Sequence, residues 1–79
     1  MSKSLDGPQA RALLDSLCTR YGFCLSPLWR ARLENNPPRS PEKFTDTVFR
    51  AEGLDPTTAD KHLYNVIYNE VEEAFERSG

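Results

Sequence analysis

Apolar side chains recur along this chain at intervals of three and four residues, the spacing that places them on one face of an α-helix. The pattern predicts four helices, at about 8–21, 27–35, 41–52 and 56–77. No segment alternates apolar and polar residues for long enough to predict a strand. The sequence therefore predicts one compact all-α domain of four helices over its 79 residues, with residues 1–6 as a flexible N-terminal tail.

The fourth segment carries the longest apolar stripe, running from Ala59 to Phe75. At about 1.5 Å per residue, a helix over 56–77 would be roughly 33 Å long. The connections between the segments are short, so consecutive helices should be neighbours. We expect this long C-terminal helix to be the spine against which the other three pack.

Proline marks the start of three of these helices. Ser26, Ser40 and Asp55 each precede a proline, an arrangement that suits an N-cap residue followed by the first helical position. Gly22 and Gly53 are placed to end two helices in the left-handed conformation. These signals set the predicted helix bounds.

Charge is unevenly divided along the chain. The net charge is −2; residues 1–39 carry six basic and three acidic residues, whereas residues 40–79 carry four basic and nine acidic ones. Nucleic-acid binders usually need a basic face, so the overall balance disfavours that class. A candidate basic patch around the predicted helix 2–3 link keeps a nucleic-acid-associated regulator as the alternative function; its members are Arg30, Arg32, Arg39 and Lys43.

Two cysteines, Cys18 and Cys24, are fewer than a small disulfide-dependent secreted domain normally carries. Cys18 shares the apolar face of helix 1, and Cys24 falls in the link that follows. No apolar signal segment and no run of about 18 apolar residues is present. We therefore expect two free thiols, a cytoplasmic location and no membrane contact.

Catalytic and metal-binding patterns are not found. The cysteines and His62, the single histidine, match no zinc spacing, and no glycine-rich phosphate loop occurs. Four carboxylates close together in helix 4 are typical of a solvated charge run rather than of a paired acid and base; they are Glu70, Glu72, Glu73 and Glu76. The sequence predicts no enzyme activity, no metal and no cofactor.

Binding to another protein is the function that remains. The aromatic residues Trp29, Tyr64 and Tyr68 are candidates for partner contact, since Trp and Tyr are enriched at interface hot spots. The competing interpretation makes helix 4 a central helix whose aromatic residues are all core. The leading prediction is a small non-catalytic interaction module, an adaptor or an inhibitor of a larger intracellular assembly, and a third possibility is self-association alone.

Two charges fall on apolar helix faces, Arg32 on helix 2 and Glu70 on helix 4. An unpaired buried charge is costly, so we expect each to find a partner or to reach water along its stem. An ion pair between Arg32 and Glu70 where helix 2 crosses helix 4 is one hypothesis. Arg20, at the edge of helix 1's stripe, is the alternative partner for Glu70.

Overall fold

Four α-helices make up the regular structure of residues 5–78, the part of the chain that the structure, a computed structural model, describes. They are α1 (Gly7–Tyr21), α2 (Pro27–Asn35), α3 (Pro41–Ala51) and α4 (Lys61–Ser78). No strand occurs within residues 5–78. The predicted all-α four-helix fold is confirmed, with α2 at its predicted bounds and α1 and α3 within one residue of theirs.

The start of α1 is fixed by a capping box. Asp6 Oδ1 accepts a hydrogen bond from the backbone N–H of Gln9 at 2.8 Å, and Gln9 Oε1 accepts one from the backbone N–H of Asp6 at 3.1 Å. Leu5 is buried in the core. The last two residues of the predicted tail therefore belong to the folded domain, while residues 1–4 lie outside the described residues.

Ser26 and Ser40 occupy the N-cap positions of α2 and α3, as predicted. Both have extended backbone geometry, and each is followed by a proline in the first turn of its helix. Neither hydroxyl makes a capping hydrogen bond. The proline, whose ring fixes φ and disfavours helical geometry in the residue before it, therefore defines these two starts.

The predicted cap of α4 at Asp55 is wrong. Asp55 Oδ1 instead accepts hydrogen bonds from the backbone N–H and the hydroxyl of Thr57, at 2.9 and 2.7 Å, within a separate turn. Asp60 Oδ1 accepts from the backbone N–H of His62 at 2.8 Å, directly before α4 begins. Because Asp is a preferred N-cap residue, the helix starts there, five residues later than predicted.

The helices pack as a chain of neighbours. α1 lies against both α2 and α4, and α3 lies against α4. The prediction that the other helices pack against α4 therefore holds for α1 and α3. It does not hold for α2, which joins the bundle mainly through α1. The side chains that fill the core are Leu5, Ala10, Leu13, Leu14, Leu17, Phe23, Leu25, Leu33, Phe44, Val48, Phe49, Ile67, Val71 and Phe75.

Cys18 and Cys24 form a disulfide, so the prediction of two free thiols is wrong. Cys18 lies in the last turn of α1, and Gly22 follows with a left-handed φ of +77°. This turn reverses the chain and brings the two Cα atoms to 4.3 Å. The bond fastens the end of α1 to the link that leads into α2.

The proposed pair between Arg32 and Glu70 is also wrong. Glu70 Oε1 lies 3.2 Å from Arg20 Nη1 and accepts a hydrogen bond from the Tyr21 hydroxyl at 3.3 Å. The alternative partner, Arg20, is therefore the observed one. The reason is the packing order: α1, rather than α2, lies against α4.

Candidate docking groove between α2 and α3

α2 presents an apolar surface that the bundle does not cover. Its Leu33 is buried against the core, and Trp29 is half-buried beside it. Leu28, one position before Trp29, is 62% exposed. Rotation by about 100° per residue turns Leu28 about 140° away from Leu33, which explains why one packs inward and the other does not.

An open groove of about 590 Å³ lies between α2 and α3. It exists because α2 packs on α1 and leaves its α3-facing side without extensive contact. Its walls include side chains from α2, from the link after it and from α3, among them Leu28, Trp29, Arg32, Leu33, Pro38 and Thr47. An aromatic ring, two leucines and a proline make this surface mainly apolar.

Arg32 is the one charged residue among the described residues that line this groove. Its Cζ lies 5.4 Å from the centre of the Trp29 ring, within the range of a cation–π contact. No ion pair of Arg32 occurs within residues 5–78. The groove therefore offers an apolar floor with a positive charge that no carboxylate within residues 5–78 pairs with.

Arg30, another member of the candidate basic patch, has a different role. Its guanidinium contacts Asp15 of α1 and, with Nε at 3.7 Å, Glu34 of α2. The Asp15 contact joins α2 to α1, and the two carboxylates together neutralise Arg30 locally. Arg39 and Lys43 are exposed, so the structure divides the four predicted basic residues between different environments.

The candidate residues Tyr64 and Tyr68 lie on the α4 side of the bundle, away from the residues that line the groove. Tyr64 donates a hydrogen bond from its hydroxyl to Asp46 Oδ1 at 2.7 Å, and its ring packs on Phe49 at 5.2 Å. Tyr68 stacks on Tyr64 at 6.3 Å. Both tyrosines are half-buried, and the contacts of Tyr64 with Asp46 and Phe49 join α4 to α3.

Burial raises the pKa of both tyrosine hydroxyls. For Tyr64 the hydrogen bond to Asp46 acts in the same direction, because removing the proton would place two negative charges side by side. For Tyr68 the nearby Glu72 adds to the effect of burial. Neither hydroxyl is therefore suited to act as a base near neutral pH.

Other chemistry has little support in the described part of the chain. His62 is exposed, and the disulfide leaves neither cysteine sulfur as a thiolate. Within residues 5–78 no group of three His, Cys, Asp or Glu side chains is placed to hold a metal ion. None of the helices described there combines the length and the apolar character that a bilayer crossing requires.

Comparisons with protein-family models, with curated proteins and with solved structures find no match to this chain.

Trp29 and Arg32 are among the candidate residues predicted from the sequence, whereas Leu28 and the groove are not. A signal for Leu28 was present, because its angular position on helix 2 is far from Leu33. The groove itself has no such signal, since it results from a pair of helices that do not pack closely. The pairing of Cys18 with Cys24 also had a signal in the sequence, because a left-handed Gly22 between them turns the chain back on itself.

Proposed function

We propose that this domain is a non-catalytic protein–protein interaction module whose α2–α3 groove binds an acidic segment of another protein. The observation that carries this proposal is the exposed Leu28 beside Trp29 and the unneutralised Arg32. Trp and Arg are the residue types most enriched at interface hot spots. Such a module acts as an adaptor or as an inhibitor of a larger assembly.

The shape of the groove favours a peptide segment over a small molecule. Small-molecule sites are concave and enclose most of their ligand. This groove is open along α2, so a helix or extended segment can lie in it with one side chain against Leu28 and Trp29. An exposed apolar surface of this kind on a small domain commonly marks a contact site.

The charge of the groove sets the chemistry of the segment. Because Arg32 is the charged residue in the lining, a carboxylate next to the apolar anchor gains a charge-assisted hydrogen bond there. A Lys or Arg at the same place would be repelled. The preferred ligand is therefore a segment with an aliphatic or aromatic residue flanked by Asp or Glu.

Single-stranded nucleic acid is the second candidate, favoured by one observation. The Trp29 ring with Arg32 above it resembles the aromatic and cationic surfaces on which unpaired bases stack. Phosphate binding would then depend on Arg39 and Lys43 and weaken steeply with salt. The neutralisation of Arg30 leaves fewer free cations for successive phosphates, which supports the peptide over this alternative.

Selection from a random peptide display library tests the proposal. The selected peptides should carry an apolar anchor next to Asp or Glu. Their affinity should fall at least tenfold for the Leu28→Ser and Arg32→Glu variants. Arg11→Glu is the matched control, because it makes the same charge change at an exposed position of α1 outside the groove.

Three results would count against the proposal. One is selection of basic or purely polar peptides. Another is equal loss of binding in the Arg11→Glu control, which would indicate a general charge effect. The third is tighter binding of single-stranded oligonucleotides than of any peptide, with loss in Arg39→Glu and Lys43→Glu, which would support the alternative.

A further inference from the structure

The turn between α3 and α4 has the chemistry that the groove is proposed to bind. Leu54 in this turn is 41% exposed, and Asp55 beside it is exposed. Leu28 and Leu54 are the two large apolar side chains that are exposed among the described residues. One lines the groove, and the other lies outside it next to a carboxylate.

The turn is held in a defined shape. Gly53 has a left-handed φ of +77°, and its backbone N–H donates to Arg50 O at 3.0 Å. The backbone N–H of Leu54 donates to Phe49 O at 2.9 Å. These hydrogen bonds fix the backbone of Leu54, so binding to a partner would not need to order this turn.

The Asp55 carboxylate is anionic in this turn. The hydrogen bonds from the hydroxyl and the backbone N–H of Thr57 lower the pKa of Asp55, because they stabilise its charged form. The two halves of the chain are also opposite in charge, with the groove in α2 on the basic half and the turn on the acidic half. Opposite charges on two surfaces favour their association.

We infer that the Leu54 turn of one copy of this chain binds in the α2–α3 groove of a second copy, with Leu54 against Leu28 and Trp29 and Asp55 beside Arg32. This inference rests on the groove being the docking surface proposed above. A second copy in the groove competes with any other partner, so self-association lowers the affinity of the module for its partner as its own concentration rises.

The size of the contact makes this association weak. Stable interfaces bury about 1,600 Å² in total, and one turn in one groove covers less. Each copy has one turn and one groove. A two-fold pair that exchanges both contacts would be closed, the arrangement that most oligomers adopt.

Sedimentation velocity over a concentration series up to about 1 mM tests the inference, because a complex of millimolar or tighter Kd is then detectable. The unmodified chain should associate, and Leu28→Ser and Leu54→Ser should each raise the Kd at least tenfold. Arg32→Glu should do the same, whereas Arg11→Glu should change it less than twofold. Circular dichroism of each variant confirms that it is folded.

Mixing the two leucine variants gives the sharpest result. A Leu28→Ser chain keeps its turn, and a Leu54→Ser chain keeps its groove. Their equimolar mixture should therefore associate more strongly than either variant alone. A mixture that associates no better than its components would overturn the pairing of turn and groove.

Two further results would overturn the inference. One is an unmodified chain that remains monomeric at 1 mM. The other is an association that neither leucine change weakens, which would place the contact elsewhere. Selected peptides that still bind the monomer through Leu28 would leave the proposed function intact, so failure of the two proposals can be distinguished.

Discussion

At the scale of single residues, Gly22 ends α1 through its backbone conformation, and Glu70 joins α4 to α1 through its side chain. Gly22 adopts the left-handed conformation expected of it, because only glycine reaches that region without steric cost. The partner of Glu70 depended on which helix lies against α4. Periodicity gives the buried face of a helix but not the identity of its neighbour, so Arg32 was the wrong first choice and Arg20 the right alternative.

Tyr64 gives a prediction at high pH. Its raised pKa means that the folded state holds the phenolic proton more tightly than the unfolded state. The resulting stabilisation is present below the ordinary tyrosine pKa of about 10 and is lost as the pH rises above it. Tyr64→Phe should therefore reduce the fall in stability above pH 10, measured by urea unfolding at several pH values.

The same variant removes the hydrogen bond to Asp46. At neutral pH we expect Tyr64→Phe to cost about 2 kcal/mol, because a hydrogen bond to a charged group contributes more than one between neutral groups. An alkaline profile identical to that of the unmodified chain would contradict the assignment of the pH effect to Tyr64.

At the scale of elements, a polar residue followed by proline predicted a helix start correctly where the residues after it also pack as a helix on the core. Pro27 begins α2, and Asn36 with the two prolines after it ends that helix, so both bounds were correct. The Asp55–Pro56 pair carries the same signal but forms an isolated turn. There the Asp55 side chain bonds to Thr57, and Asp60 five residues later supplies a second cap.

Asp60 should therefore matter for the stability of α4. Asp60→Ala removes the bond to the His62 N–H and is expected to cost about 1 kcal/mol of unfolding free energy. Asp60→Asn keeps an acceptor at the same position and should lose less. Chemical denaturation of the three proteins measures the difference, and equal stability of Asp60→Ala and the unmodified chain would contradict this capping role.

The disulfide gives a second prediction at this scale. It joins residues six apart in sequence, so it removes the entropy of closing a short loop from the unfolded state. The chain-entropy relation gives a stabilisation of about 2 kcal/mol for a loop of this length. Cys18→Ser/Cys24→Ser should lose about this amount in urea unfolding, and addition of a reducing dithiol should have no effect on that variant.

At the scale of the whole molecule, the fold class followed from periodicity, whereas the groove did not. It arises because α2 joins the bundle through α1 and stands apart from α3, a relation among three helices that no local pattern encodes. The cellular location is a second property of the whole molecule. The cytoplasmic prediction relied on the low cysteine count and on the absence of an apolar signal segment. Disulfides persist mainly in oxidising environments, so the Cys18–Cys24 bond gives that prediction no support.

Trp29 is the single tryptophan of the chain, so its fluorescence reports on the groove directly. The most direct measurement is a titration of the domain with a short synthetic peptide that carries leucine flanked by aspartates, followed through the Trp29 emission. The matched control is the same peptide with serine in place of leucine. We expect a saturable change with the leucine peptide, no change with the control, and loss of the response in Leu28→Ser. A Trp29 emission that stays constant while calorimetry detects binding of the leucine peptide would contradict the proposal that the peptide binds in the α2–α3 groove.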